Sequence, residues 1–203
     1  MRRSDLIRAL ATIPPFPSPR ADWEQVMTPL ECAAELLEEA VGRGDLVDRH
    51  LLDLGSGTGV LAIGAGLLGA SRVEGIEIDP SAVRVARVAA RRLGSRVRFV
   101  VAPVDQAETA VDTVVMNPPF GAQRQHADRP FWDVAFRVAG RAIYAFALAE
   151  SRNFIARRAV AQQIHVELSR PVRWNLPWTF PHHRKRRVAL SVDLWVLRRE
   201  PKR

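Results

Sequence analysis

The 203-residue sequence has one cysteine, Cys32, one tyrosine, Tyr144, and no apolar run approaching the ~18 residues that a membrane-spanning helix needs. A single thiol excludes a disulfide framework and a cysteine-built zinc site, and its place within LECAAELL makes it an inert, at least half-buried group. His182 and His183 have no partners at metal-ligand spacing, so no metal is expected. MRRSDLIRAL lacks the apolar core and small-residue cleavage site of a secretory signal, which leaves a soluble, cytoplasmic protein without membrane partners as the expectation. Acidic residues are also in deficit, 22 against 30 basic, for a net charge of +8. That excess suggests a polyanionic partner such as nucleic acid. Nearly all the basic residues are Arg, a bias that a GC-rich genome produces as readily as phosphate recognition does.

A hydrophobic content of 47% can bury one core of ordinary domain size. Residues 4–12 read as a short helix, and the four prolines of TIPPFPSPR as an extended arm, so that residues 1–27 precede a domain spanning 28–203. Thr28, Pro29 and Glu31 spell a helix start with cap, first-turn proline and capping-box acid, and Gly42 ends that helix. Strands and helices then alternate. Strands are expected at 50–54, 72–78, 96–101, 111–116, near 142–147, at 164–169 and within VALSVDLWVL, with helices at VLAIGAGLLG, after Asp79-Pro80, and from about 128 and 151. This is a doubly wound α/β pattern whose last two strands follow one another without a helix and can pair antiparallel.

LDLGSGTGVLAIG puts Gly55, Gly57 and Gly59 directly after the first core strand and before a buried helix, where missing Cβ atoms let a ligand lie against the backbone. Glu77, ending the second strand, is placed to accept hydrogen bonds from two ribose hydroxyls, so a nucleotide-like cofactor is expected. Asp53 either orients the glycine loop or meets the cofactor's amino group, and Asp79 caps the next helix.

VMNPPFGAQ, at the end of the fourth strand, offers two rigid acceptors, the Asn117 side-chain oxygen and a backbone carbonyl at Pro118. An amide-type nitrogen has two N–H donors to match them. Holding both while a methyl group approaches favours the pyramidal nitrogen of the transition state, and no strong base is needed. Phe120 adds a stacking face. An adenine taken out of its helix has the required exocyclic amine and flat ring.

On WEQVMT, LDLGSGTGVLAIG, GIEID, DTVVMNPPFGAQ and SVDLWVL, over about residues 22–197, the chain resembles the S-adenosylmethionine-dependent Rossmann-like methyltransferases. Within them it is similar to the archaeal and eukaryotic rRNA adenine-N6 methyltransferases of the methyltransferase-like five family. The resemblance implies an α/β, doubly wound class I fold with a mostly parallel seven-stranded sheet and an antiparallel last strand. It also implies transfer of one methyl group to N6 of a small-subunit rRNA adenosine, with Asn117, Pro118, Pro119 and Phe120 as acceptor site. Gln25, Thr28, Gly55, Thr58, Val60 and Glu77 would then contact S-adenosylmethionine. Where the family usually has an acid after the third strand for the cofactor's adenine amine, VVAPVDQ has Pro103, so Asp105, through a shifted loop, or a backbone group takes that role.

HHRKRR, with His182, His183, Arg184, Lys185 and Arg186, is flanked by Trp174, Trp178 and Phe180 and reads as an RNA grip or as a solvated basic loop anchored by its aromatics. The superfamily's strand order would put RVRFVV, Arg96 to Val101, at a sheet edge open to a partner strand. The resemblance supplies a small zinc-binding methyltransferase activator as that partner. Competing readings are a protein-glutamine methyltransferase, a DNA adenine methyltransferase, a non-catalytic RNA-binding subunit and an NAD enzyme. The first commonly has Tyr after the prolines and a larger N-terminal domain. The second lacks a target-reading domain here, and G-x-G-x-G spacing disfavours the last.

Overall fold

A computed structural model describes residues 1–121, 123–174 and 190–199. Its order is α1 (Arg3–Leu10), α2 (Leu30–Gly42), β1 (His50–Leu54), α3 (Val60–Leu67), β2 (Arg72–Glu77), α4 (Pro80–Arg92), β3 (Val97–Val101), β4 (Val111–Met116), α5 (Arg129–Val138), β5 (Ala139–Leu148), α6 (Arg152–Ala161), β6 (Ile164–Val172) and β7 (Val192–Arg199). The sheet runs β3-β2-β1-β4-β5-β7-β6, parallel except for β7, which pairs antiparallel with both β5 and β6. This is the expected class I methyltransferase architecture, with β3 at the edge.

Side chains alternate between two cores, one on each face of the sheet. In β5, Ala142, Tyr144 and Phe146 join the core under α1 to α4, while Ile143, Ala145 and Ala147 join the core under α5 and α6. Burial on both faces is why the central strands read as unbroken apolar runs rather than as alternating ones.

Several boundaries moved, each for a physical reason. Leu6, Leu10 and Ile13 are buried in the first core, so α1 is part of the packed domain although the sequence reading set it ahead of the core. β6 continues through Pro171 to Val172, because β6 is an edge strand and a missing N–H is tolerated there. Thr28 does not cap α2. The helix starts at Leu30 with no side-chain cap, and Ala33 N–H donates to Pro29 O instead. Asp79 does cap α4, accepting from Ser81 N–H at 2.7 Å. Cys32 is buried, and burial pushes its thiol up to about 11, in keeping with an inert group. Among the described residues no helix is long and apolar enough to cross a membrane, and no cluster of His, Cys, Asp and Glu could hold a metal ion.

Candidate active site

β1 and β4 are neighbours, and the loops at their carboxyl ends, Gly55–Gly59 and Asn117–Phe120, meet at the point where the strand order reverses. Gly55 and Gly57 adopt φ of +71° and +53°, and Gly59 +94°, a region that side chains disfavour. The space that their missing Cβ atoms leave is used from inside the chain. A Cβ on Gly55 would lie 2.7 Å from Phe131 Cε1, and one on Gly57 2.8 Å from Phe16 Cζ. The proline-rich arm therefore lays an aromatic ring over the glycine loop, a contact with no local signal in the sequence.

Acidic groups brace the loop. Glu77 Oε2 accepts from Gly57 N–H at 2.8 Å and Oε1 from Asp79 N–H at 2.9 Å. Burial raises the Glu77 carboxyl above its ordinary value, and those two donors pull it partly back. Asp53 is fully buried and accepts from Ala62 N–H at 2.9 Å, so it holds the first turn of α3 rather than the glycine loop itself. Burial, with the Glu77 charge adding to it, lifts its carboxyl from the ordinary 3.8 to about 8.

Between the loops is a cavity of about 30 Å³, walled by Thr28, Asp53, Gly55, Gly57, Thr58, Val60 and Asn117 of the expected set, together with Phe16, Val26, Met27, Ser56 and Leu61. Three buried polar atoms on this wall, Ser56 Oγ, Thr58 Oγ1 and Asn117 Oδ1, have no hydrogen-bond partner. Unpaired buried acceptors and donors are costly, and here they converge on one concavity. A hydrogen-bonding small molecule fits that wall, but not at the present volume, since ligand pockets run to roughly 300–1,000 Å³. Phe16 is the one wall residue carried on the proline-rich arm, beyond the last turn of α1.

Asn117 is held by one side of its amide. Its Nδ2 donates to Thr28 Oγ1 at 3.1 Å, which leaves Oδ1 as the free acceptor. Gln25 ties the same segment to the far side of the site, its Nε2 donating to Asp79 Oδ2 at 2.9 Å while Oε1 accepts from Arg20 N–H at 2.8 Å. Burial pushes Asp79 up, but the donors Ser81 and Gln25 outweigh it and hold the carboxyl below the usual range. Phe120 packs edge-on against Trp174, with ring centroids 5.4 Å apart, and Trp174 in turn against Phe146 at 5.0 Å. Trp174, expected beside an RNA grip, is thus a supporting wall of the NPPF turn.

The structure does not bring every expected residue to the cavity. Asp105 is exposed on the 3-10 turn Val104–Gln106, away from the cavity wall. Gln25, Gly59 and Glu77 shape the site from behind that wall. His182, His183, Arg184, Lys185 and Arg186 lie outside the described residues. Besides the wall residues Val26, Met27, Ser56 and Leu61, the contributors not foreseen include Phe16, Phe131 and Glu24, whose carboxylate accepts N–H bonds from Phe120 and the loop after it.

The family model described as ribosomal protein L11 methyltransferase (PrmA) matches residues 31–118, less than half of the chain, ending within the Asn-Pro-Pro turn. Broader likenesses exist. The rRNA N(6)-adenosine-methyltransferase Mettl5 of Drosophila melanogaster is 32% identical over 89% of this chain and 88% of its own. The METTL5 enzyme of the same description from Danio rerio is 30% identical over 95% and 97%. A crystal structure from Pyrococcus horikoshii, solved as a candidate RNA methyltransferase, superposes with a TM-score of 0.89 at 36% identity, covering 98% of both chains. Relatives that are 30–32% identical over 89–95% of the chain place it in the rRNA N6-adenosine-methyltransferase family.

Proposed function

We propose that Asn117, Pro118, Pro119 and Phe120 form the acceptor site at which this chain, an S-adenosylmethionine-dependent methyltransferase, methylates N6 of an adenosine in ribosomal RNA. The observation that carries this reading is Asn117 Oδ1, buried, unpartnered and on the wall it shares with the glycine loop.

S-adenosylmethionine supplies an electrophilic methyl group when bound. The chain's own residues do the rest. Asn117 Oδ1 and the Pro118 carbonyl would accept the two hydrogens of the adenine amine, so that its lone pair turns from the ring toward the methyl as the N–C bond forms and the methyl–sulfur bond breaks, its electron pair leaving on sulfur as a neutral thioether. The excess proton leaves to water once the nitrogen is quaternised. Phe120, braced by Trp174, stacks the extruded base. On the cofactor side Gly55, Gly57, Thr58 and Val60 line the site, Asp53 and Thr28 close its inner wall, Gln25 and Gly59 support them, and Glu77, braced behind the wall by Gly57 and Asp79 N–H, would meet the ribose hydroxyls with its remaining lone pairs. Asp105 reaches an adenine amine only if its turn moves inward, so a backbone group after β3 is the better candidate.

The small ribosomal subunit as the source of the RNA rests on the family resemblance, as does a zinc-binding activator at β3. Support for a strand partner is local: β3 is a sheet edge, Val101 there is 45% exposed, and Ile78 beside it 46%. Arg87 Nη2 already occupies the Phe99 carbonyl at 2.6 Å, so a partner strand would displace it. Arg184, Lys185 and Arg186 are proposed to hold RNA phosphates.

Labelled S-adenosylmethionine incubated with deproteinised small- and large-subunit rRNA and, separately, with the extracted ribosomal proteins, with and without the activator, tests the reading by nucleoside mass spectrometry and by label in the protein fraction. N6-methyladenosine in small-subunit RNA is the expected product. Label entering only a protein fraction would replace this reading with glutamine methylation.

A further inference from the structure

Glu24 follows the 3-10 turn Ala21–Trp23 and has left-handed backbone angles, φ 49° and ψ 40°. Non-glycine residues seldom adopt this conformation, and it persists where surrounding contacts hold it. Those contacts are three hydrogen bonds to one loop. Glu24 Oε2 accepts from Phe120 N–H at 2.8 Å and Gly121 N–H at 3.0 Å, and Oε1 accepts from Gln123 N–H at 2.8 Å. The partners are 96 to 99 positions away in sequence.

Both ends of this connection are anchored. The turn that bears Glu24 is fixed to α4 through Gln25 and Asp79. The loop it grips turns sharply at Gly121, φ +82°, directly after the NPPF turn. A carboxylate that collects three backbone donors makes charge-assisted bonds, stronger than the water contacts these amides would otherwise make. Loops are the mobile parts of a fold, and their order before substrate arrives has to be supplied by such contacts.

We infer that Glu24 is a positioning residue for methyl transfer: its carboxylate clamps the backbone N–H groups of Phe120, Gly121 and Gln123 and so sets the direction of the Phe120 ring before the base enters. The inference rests on the acceptor-site reading above. Glu24 is not on the cavity wall, so it acts through the loop and not on cofactor or substrate. It thereby joins Thr28 and Gln25 in one strap, residues 20–28, that holds acceptor loop and cofactor side in register.

The test compares Glu24→Ala and Glu24→Gln with wild type in three readouts: backbone amide exchange by NMR, S-adenosylmethionine affinity by calorimetry, and kcat on deproteinised rRNA. In the alanine variant the Phe120, Gly121 and Gln123 amides are expected to exchange at least tenfold faster. Its kcat should fall at least tenfold while cofactor affinity stays within twofold. The glutamine variant keeps one acceptor oxygen and should recover part of both losses. Unchanged exchange, or kcat within twofold of wild type despite faster exchange, would overturn the inference. So would losses of cofactor affinity and melting temperature in step with kcat and without recovery in glutamine, because that pattern marks a general folding defect. Asn117→Ala measured in parallel separates the two claims: a wild-type rate there overturns the acceptor-site reading whatever Glu24→Ala does.

Discussion

Asn117 Nδ2 donates to Thr28 Oγ1 across 3.1 Å and 89 positions of sequence, and the consequence is a fixed amide whose oxygen faces the cavity unpaired. Thr28→Val keeps the shape and removes the acceptor, leaving a buried N–H without a partner, a loss of about 1–3 kcal/mol. The amide is then free to turn over. The expected result is a roughly tenfold lower kcat, equivalent to about 1.4 kcal/mol, measured by steady-state methyl transfer to rRNA. An unchanged kcat would mean that the amide is oriented by something else.

Phe16 lies where Gly57 leaves room, and the remaining cavity of about 30 Å³ is too small for a nucleoside cofactor. A ring seated against the glycine loop stands in the way of a cofactor that lies there, and binding that waits for the ring to swing aside is slowed. Phe16→Ala should bind S-adenosylmethionine several-fold faster in stopped-flow measurements. Equal association rates for the two proteins would show that the ring does not obstruct entry.

The buried Asp53 carboxyl, raised to about 8 by burial and by Glu77, makes stability depend on pH. The fold favours its neutral form. That contribution is fully present below the unfolded value near 4 and is lost as pH rises through about 8. Asp53→Asn has no proton to lose, so its melting temperature should gain on wild type between pH 5 and pH 8.5. Parallel curves for the two proteins would contradict the assignment.

Asp193 is fully buried on β7 and receives Arg152 Nε at 2.5 Å and Nη2 at 2.7 Å, next to the carboxyl end of β5. Removing Arg152 strands the buried Asp193 charge, although Arg152 is 51% exposed and water entering the gap relieves part of the loss, so Arg152→Ala should lower stability measurably. Arg2→Ala breaks an ion pair whose arginine is 84% exposed and should change stability by less than about 0.5 kcal/mol. Urea denaturation of the two variants measures the contrast.

Much of this site was legible because it is built from short, continuous signals. The strand, glycine turn and buried helix at 50–67 follow each other within one stretch, and the NPPF turn carries its own rigidity. What the sequence could not show are bonds between distant segments. Phe16 stands in a proline-rich arm and Glu24 just after it, and only the folded chain places them on loops more than 40 and more than 90 positions away, respectively. For the same reason Thr28 does not cap α2. A Thr-Pro-x-Glu stretch is a local helix signal, while its hydroxyl is engaged by a residue from β4's far end. The expected acid for the cofactor's adenine, Asp105, failed to reach the cavity because Pro103 starts a separate 3-10 turn that carries it outward.

The central claim is that Asn117 accepts the amine in the transition state and contributes little to cofactor binding. Single-turnover transfer from labelled S-adenosylmethionine to rRNA, with cofactor affinity measured on the same preparations, tests it in wild type and Asn117→Ala. Losing this acceptor should slow transfer at least 100-fold, about 2.7 kcal/mol, with cofactor affinity within about threefold. Transfer within tenfold of wild type, or a loss accounted for by weaker cofactor binding, would contradict the account.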